Sequence, residues 1–546
     1  MNVQETLISI GNDPEQLEQL YQTAVGDGQI EAFRKAIEIE RTAAPDNLLY
    51  AAWYYRLRST AVKARESFTA WGWAIPLALL NGLLLWVFSD ETRFALTYAG
   101  ARPGLPMHFL PSSFPLIALL AAPISAVFII AYLSLAGRKR RQQAVIISLV
   151  LLAATAYVAG VYPRLGSRPY QEQYLTLMIV HLSLLAWAGV GAFLVLDRGD
   201  ADRNPPDRTS NTFAFLNKSL ELFIMAGLFA VAGGIFTGIT VGLFDALGIT
   251  LSDAVMRLLL AGGGGMLPVI ATAILYNPRV APARQEFEGG LSGLVAMLTR
   301  VMLPLTVLVL LVYLAFIPLN FREPFENRDV LIIYNAMLFA VIALMVGATP
   351  VIPSHVSRRI GVWLRRGIIL LAALAAIISV YALVAILYRT AMDRLTPNRL
   401  TFIGWNIINI GLLLLLLYRQ ARAGNNWVDG LHRAFAAGAA AYALWAVAVI
   451  ITLPWLFGIN QTRIEGLPPS VQAIIYEQSA PILLKCLDSP HIYLLEDGTK
   501  RWINTIATFT ERGYVWRDVS FIPCDDLRAI PDGVPIPESA GPPPQP

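Results

Sequence analysis

The run Thr396-Pro397-Asn398-Arg399 joins a helix-capping threonine, a proline suited to the first helical turn and a cation at an exposed helix start. Asn406 and Asn409 follow one turn apart on the same stretch. Helix N-termini favour anions, because unpaired backbone N–H groups and the aligned peptide dipoles point the same way there. With Arg389 and Arg394 just ahead, and Arg257 and Asn335 expected at similar depth, these side chains could hold a phosphate, a carboxylate or a lipid headgroup. The structural alternative gives the same residues to caps, to hydrogen bonds between helices, and to arginines whose heads reach the membrane surface.

Other chemistries lack their residues. The five histidines, His108, His181, His355, His432 and His491, fall in different elements. No H-E-x-x-H helix or paired metal spacing exists, so no metal is expected. The phosphate-loop pattern G-x-x-x-x-G-K-S/T is absent. The nearest approach to a nucleophile elbow, Gly290-Leu291-Ser292-Gly293, has the wrong spacing. A glycan or lipid transferase would need a carboxylate pair for acid and base work, and none is evident. The expectation is a protein without enzymatic activity or cofactor. Among apolar stretches, Glu221 has Lys218 one turn earlier and reads as an interfacial ion pair, while Asp245 lies near the far end of the same stretch. Two carboxylates are thin support for an ion pump, which keeps costly intramembrane charge along its path. His181, mid-stretch, reads as a histidine satisfied inside a bundle.

The elements that must position these residues follow from composition. Of 546 residues, 56% are hydrophobic and 15% charged, more apolar surface than a water-soluble chain could bury. A helix needs about 20 apolar residues to cross roughly 30 Å of hydrocarbon. Such runs occur near 69–88, 114–136, 143–162, 172–196, 218–246, 252–275, 294–318, 330–350, 367–388, 400–418 and 434–457. Their continuity argues for helices, since barrel strands would alternate polar and apolar. The predicted class is an all-α polytopic membrane bundle of about 11 transmembrane helices with a small α+β module at the C-terminus.

Loop charge is independent of hydropathy and agrees with it. Arg56, Arg58, Lys63 and Arg65, then Arg138, Lys139, Arg140 and Arg141, then Arg198, Arg203 and Arg208, then Arg358, Arg359, Arg365 and Arg366 fall on one side. The alternate loops are poorer in cations, except for the one holding Arg389, Arg394 and Arg399. The positive-inside rule then puts the N-terminus in the cytoplasm, and an odd number of crossings puts the C-terminal segment outside. The net charge of +4 reflects this bias, so no nucleic-acid partner is expected. The first fifty residues are acidic and polar, so the first span is expected to serve as the insertion signal.

Four segments are expected. Residues 1–66 read as a cytoplasmic helical cap: Asp13 and Pro14 open a helix carrying Leu17, Leu20, Tyr21 and Ala24, a second carries Ile30, Phe33 and Ile37, and Asp46 and Asn47 introduce a third. Residues 67–457 form the bundle. Within it Gly234, Gly238 and Gly242 share a face, and Gly262 to Gly265 sit in the next span, so these two helices are expected to approach closely. The alternative is a helix broken at the four glycines and lining a cavity. Residues 458–530 read as an exterior module: Ile492, Leu494 and Leu495 lead to the turn Asp497-Gly498, Lys500 to Ile503 return, and Asn504 or Thr505 caps a short helix with Ile506 and Phe509 inward. Tyr514, Trp516, Val519 and Phe521 suggest one more extended piece. Cys486 and Cys524, the only two cysteines, flank this module and are predicted to form a disulfide. Residues 531–546 are proline-rich and expected to be disordered.

The stretch Tyr388-Arg389-Thr390-Ala391-Met392-Asp393-Arg394-Leu395-Thr396-Pro397-Asn398-Arg399, followed by Trp405 and an apolar helix, resembles the domain of unknown function 4153 family, whose members carry a comparable LTPNR segment before a late span. The likeness would cover about 70–457 and implies a multi-pass protein of the bacterial plasma membrane. It brings no activity and no catalytic residues. The tail is similar to a short hairpin-helix module at the ends of bacterial exported proteins, through Lys500-Arg501-Trp502-Ile503, Thr508-Phe509, Gly513-Tyr514, Trp516-Arg517-Asp518-Val519 and Ile530-Pro531. Two readings follow. The leading one is a scaffold or accessory subunit of a membrane complex, with membrane lipids and other envelope proteins as partners. The rival is a transporter or flippase for an anionic or lipid-linked substrate.

Overall fold

Backbone amides in hydrocarbon must find partners within the chain, which leaves helices as the spanning solution for continuous apolar runs. The computed structural model describes residues 6–7, 10, 13–26, 30–66, 70–98, 113–138, 140–165, 168–196, 207–287, 289–326, 328–353, 356–392, 395–424, 426–458, 464, 466–478, 481–496, 498–542 and 544. Arg102, His108, Lys139, Arg198, Arg203, His355, Asp393, Arg394 and Asp497 lie outside the described residues, as do the side chains of Ile30, Arg58, Lys63, Arg65, Arg328 and Met392. Two compact units divide the chain, Met1–Ala70 and Trp71–Pro546.

Among the described residues the first unit is built on three longer helices, α1 (Pro14–Gly26), α2 (Ile30–Ala43) and α3 (Leu48–Glu66). Asp13 caps α1 by accepting from the amides of Glu15 and Gln16, and Asn47 caps α3 by accepting from those of Leu49 and Tyr50. Leu17, Leu20, Phe33, Ile37, Trp53 and Leu57 close a shared core. Across its edge Arg56 pairs with Glu18 at 2.7 Å and lies over the Trp53 ring.

In the second unit eleven helices among the described residues are long and apolar enough to cross a membrane, so this is a multi-pass integral membrane protein. They are α4 (Trp71–Phe88), α5 (Ile117–Gly137), α6 (Arg141–Val161), α7 (Arg168–Val195), α8 (Arg208–Ala246) and α9 (Asp253–Leu275). After these come α10 (Gly290–Phe316), α11 (Arg328–Ala348), α12 (Arg358–Met392), α13 (Pro397–Arg422) and α14 (Trp427–Leu456). Each expected span corresponds to one helix. The largest difference is α8, which starts at Arg208 because Asp207 caps it and its polar first turns still bury Asn211, Phe213 and Asn217. Two neighbouring pairs are tied start to end, as antiparallel helices are: Arg140 before α6 reaches the Leu196 carbonyl after α7, and Arg365 of α12 those of Gln420 and Gly424 at the end of α13, while Tyr162, past the other end of α6, reaches the Thr97 carbonyl. A short antiparallel pair, β1 (Ala95–Thr97) with β2 (Ser113–Pro115), follows α4.

The glycines pack differently from expectation. Gly262 and Gly265 lie against α4, where a Cβ on Gly82 would come within 2.5 Å of the Gly262 carbonyl oxygen. Asn81 beside it donates to the Gly265 carbonyl and to Ser125. The glycine face of α8 is not the partner: a Cβ on Gly234, Gly238 or Gly242 would meet nothing within 4 Å. Nor is α9 unwound at the glycines; one π turn, Leu258–Gly262, takes in the first of them and Gly263–Leu275 continues as α-helix. Contact with α4 supplies what four glycines lack, since bare backbones pack at short range only against another small residue.

The C-terminal module is a four-stranded sheet in the order β5-β4-β3-β6, from β3 (Ile482–Lys485), β4 (Ile492–Glu496), β5 (Thr499–Ile503) and β6 (Val519–Phe521). The hairpin β4–β5 pairs Glu496 with Thr499, leaving Gly498 at φ 76° in the turn. β6 returns parallel to β3, an arrangement that local pattern does not encode. One sheet face buries Leu484, Tyr493 and Leu495 against α15 (Pro469–Glu477) and α17 (Cys524–Ala529). The other packs Leu483, Ile492, Leu494 and Val519 on Phe509 of α16 (Ile506–Glu511), whose N-cap is Thr505. Ile506, expected inward, is 67% exposed at the first residue of the helix, and Phe509 alone of the two is buried.

The proline-rich end also departs from expectation. Its backbone adds along β5: Gly533 N donates to the Lys500 carbonyl and Ile536 N to that of Trp502, while Lys500 N donates to the Pro531 carbonyl and Asn504 N to that of Ile536. Ile536 is fully buried there, so apolar burial and four backbone bonds fix a segment whose composition reads as disordered. Cys486 and Cys524 form the disulfide, with Cα atoms 5.0 Å apart.

Two outcomes follow from this packing. Gly82→Ala should destabilise the bundle by about 1–3 kcal/mol through forced helix separation, whereas Gly238→Ala should leave the thermal midpoint of the purified protein unchanged. Reducing the disulfide, which closes a 38-residue separation, should cost the module about 4 kcal/mol in the chain-entropy treatment. Proteolysis confined to residues after Gly458 under reductant would register it; equal resistance with and without reductant would count against it.

Candidate functional site

The start of α13 is built as its sequence dictates. Thr396 has extended backbone and its Oγ1 accepts from the Arg399 amide at 3.3 Å, with Pro397 in the first turn. Arg399, one turn in, and Arg389, in the last turn of α12, line one cavity of about 160 Å³. Gln173 of α7, Thr396 and Asn398 add polar atoms, while Leu331 and Phe402 form apolar wall. Two guanidinium groups and a helix N-terminus make this a place where a small anion is electrostatically favoured. Arg394 lies outside the described residues.

The asparagines serve a different end. Asn335 of α11, Asn406 and Asn409 are all buried, at 3%, 0% and 0% exposure, away from the cavity. Asn406 Nδ2 donates to Asn335 Oδ1 at 2.9 Å and to its own helix at the Phe402 carbonyl, and Ser379 of α12 donates to Asn406 Oδ1. Asn335 closes on the Leu331 carbonyl at 2.8 Å. Asn409 accepts from the Tyr442 hydroxyl of α14. One edge of α13 thus ties α11, α12 and α14 together, and the expectation that these amides face a ligand with the arginines is corrected. In hydrocarbon each amide finds its best partner in another helix's amide or hydroxyl, which draws all three inward.

Arg257 also separates from the group. Its guanidinium pairs with Asp253 at 2.8 Å and Asp90 at 3.5 Å, tying the start of α9 to the end of α4. Asp253 lies one turn earlier on the same helix face, so the arginine is engaged locally. The Thr92 hydroxyl on Asp90, and then Arg257, hold the Asp90 carboxyl below the usual carboxylate range.

Lys218 and Glu221 pair at 2.8 Å as expected, but inside the protein, at 8% and 1% exposure. Lys218 also donates to the Glu286 carbonyl at 2.6 Å and to Ser292 Oγ at 3.0 Å, so α8 is fixed to the start of α10. Its three donors are all used, which is what makes burial of the cation tolerable. His181 bonds through Nδ1 to the Leu177 carbonyl at 2.7 Å and stacks on Trp405. His432 bonds to the Pro350 carbonyl and stacks on Phe213. Sequence reasoning missed the roles of Gln173, Ser379, Tyr442 and Ser292; Ser379 and Tyr442 are polar groups inside apolar runs, a signal that marks involvement without naming a partner, while Gln173 and Ser292 sit in polar or glycine-rich stretches at the edges of their spans. Among the described residues no three His, Cys, Asp or Glu side chains converge as metal ligands do.

In comparison with known proteins, the chain matches no family model, no curated protein and no solved structure.

Asn406→Ala should lower stability by about 1–3 kcal/mol, because Asn335 and Ser379 lose their buried partner. Arg399→Ala should not move the midpoint. Thermal unfolding in one detergent distinguishes them, and equal effects would return the asparagines to the arginine site.

Proposed function

We propose that this is a protein of the bacterial plasma membrane without enzymatic activity, serving a membrane complex of the cell envelope as scaffold or accessory subunit. Its N-terminal unit faces the cytoplasm and its C-terminal module the exterior. The bias of Arg138, Arg140, Arg141, Arg365 and Arg366 to one set of loops supports that sidedness. An odd number of crossings and a disulfide in the C-terminal module agree with it. The likeness of the LTPNR segment to the domain of unknown function 4153 family supports a bacterial plasma membrane.

The observation that carries the role is the second half of α8. Ile235 and Leu243 there are 60% and 63% exposed, and the face of Gly234, Gly238 and Gly242 has open space before it. Small residues four apart are what a second membrane helix packs against at close range, and the matching glycines of α9 already have their partner in Gly82. The occupant we assign is a membrane-spanning helix of a partner protein.

A second reading, transport or flipping of an anionic or lipid-linked substrate, draws on the Arg389–Arg399 cavity. One experiment separates the two. The full chain, its Gly238→Ile variant and a version ending at Gly458 are crosslinked in membranes, purified and analysed by mass spectrometry. A defined partner crosslinked to α8, lost in Gly238→Ile while the thermal midpoint is kept, supports the scaffold. Crosslinks only between copies of the chain make α8 a self-association surface and overturn the accessory role. A lone chain, together with loss of uptake or export in Arg399→Ala, favours transport.

A further inference from the structure

A second cavity, of about 560 Å³, lies between α4, α5, α7, α8 and α9, apart from the arginine cavity. Small side chains leave it open: Ala121, Ala122, Ala186, Ala261 and Gly264 face inward where leucines would fill the space. On α5 alone the lining runs from Ile117 to Leu133, roughly 24 Å along a helix rising about 1.5 Å per residue, so the cavity is a slot along the helices. Its mouth is at hydrocarbon depth. Phe223 and Leu260, both on the rim and both within apolar spans, are 71% and 57% exposed.

The walls decide what fills it. A space lined by aliphatic carbon stays dry, since water entering would lack its two to four polar partners. Left empty, its lining would forgo dispersion contacts along its whole length. The hydroxyls midway are already used: Ser125 accepts from Asn81 and Ser183 donates to the Ile179 carbonyl. Lys218, Ser219, Thr272 and Tyr276 lie toward one end, where Lys218 is held by Glu221, Glu286 and Ser292, Ser219 by Phe215 and Trp187, and Thr272 by the Pro268 carbonyl, and Leu85, Ile117 and Leu260 leave the other end apolar. That polarity is an amphiphile's.

We propose that this slot is a binding site for one acyl chain of a membrane phospholipid, entering from the lipid side with its tail toward Leu85 and its headgroup beyond the Lys218–Tyr276 end, at the membrane surface. The ligand is a structural lipid held between helices, and the site is independent of the glycine face on the second half of α8.

Gly264 supplies the test. A Cβ built there meets nothing within 4 Å, so a larger side chain enters the slot without displacing backbone. The full chain is placed in nanodiscs of phosphatidylglycerol containing a fraction with a diazirine on the acyl chain, irradiated, and the labelled peptides identified. Wild type should be labelled on the segments around Phe215–Phe223 and Leu260–Tyr276. Gly264→Phe should lose that labelling while keeping labels on lipid-facing parts of α10, and its thermal midpoint should no longer rise when phosphatidylglycerol is added to delipidated protein. Gly264→Leu, a smaller plug, serves if the phenylalanine variant does not fold. Unchanged labelling of the slot in the filled variant, or a wild type labelled only on outer helix faces, overturns the proposal.

Discussion

Between helices surrounded by lipid, burying one leucine against another gains little over burying it in acyl chains, so cohesion falls to close backbone packing and hydrogen bonds between helices. This protein uses both, at different places. Near α4 and α9, Gly82, Gly262 and Gly265 bring two backbones together, and Asn81 adds bonds to α5 and α9. Around α13, Asn406 and Asn409 do the corresponding work with Asn335, Ser379 and Tyr442. The large apolar core of Leu303, Leu338, Leu371, Leu413 and Phe435 fills in around α10 to α14, but any well-fitting set of aliphatic residues could do so. The polar and glycine contacts are what choose one register.

The same constraint explains what could be read along the chain. Spans, caps and the β4–β5 hairpin depend on residues within one or two turns of each other, so Asp13, Asn47, Thr396 and Thr505 announce their helices by type and position. The disulfide was legible because only two cysteines exist and both flank one small fold. Partner choice was not. Asn406 reads alike whether it faces a ligand or Asn335, 71 residues away, and hydropathy assigns Arg257 a depth without revealing Asp90 across the loop. The parallel return of β6 and the pairing of the tail from Pro531 onward with β5 are equally long-range, and proline content misleads because proline carbonyls still accept and the residues between the prolines still donate.

The arginine cavity and the asparagine network show why neighbouring polar residues should not be pooled by sequence distance. Arg399 and Asn406 sit two turns apart on α13, yet one lines a cavity and the other is sealed inside the bundle. A guanidinium buried in hydrocarbon is costly and stays at the rim, whereas an amide can be fully satisfied by two or three neighbours. Side-chain chemistry sorts them along one helix, and only the rim residues keep the option of meeting an external anion.

α8 brings these lines together. Its first half is fixed by Asp207 at the cap, by Asn217 to the Val346 carbonyl and by Lys218, paired within the helix to Glu221, to the Glu286 carbonyl and Ser292 at the start of α10. Its second half carries the glycine face with nothing against it. A buried ammonium tolerates few alternative geometries, because each displaced partner leaves its charge less satisfied. An anchor of that kind sets the rotation of the whole helix and therefore the direction its glycines face. Sliding α8 by one residue would turn Gly234, Gly238 and Gly242 by about 100° and break at once the two bonds of Lys218 to the Glu286 carbonyl and to Ser292. The position of a surface fit for another helix is thus determined by a polar cluster at the opposite end of the same span.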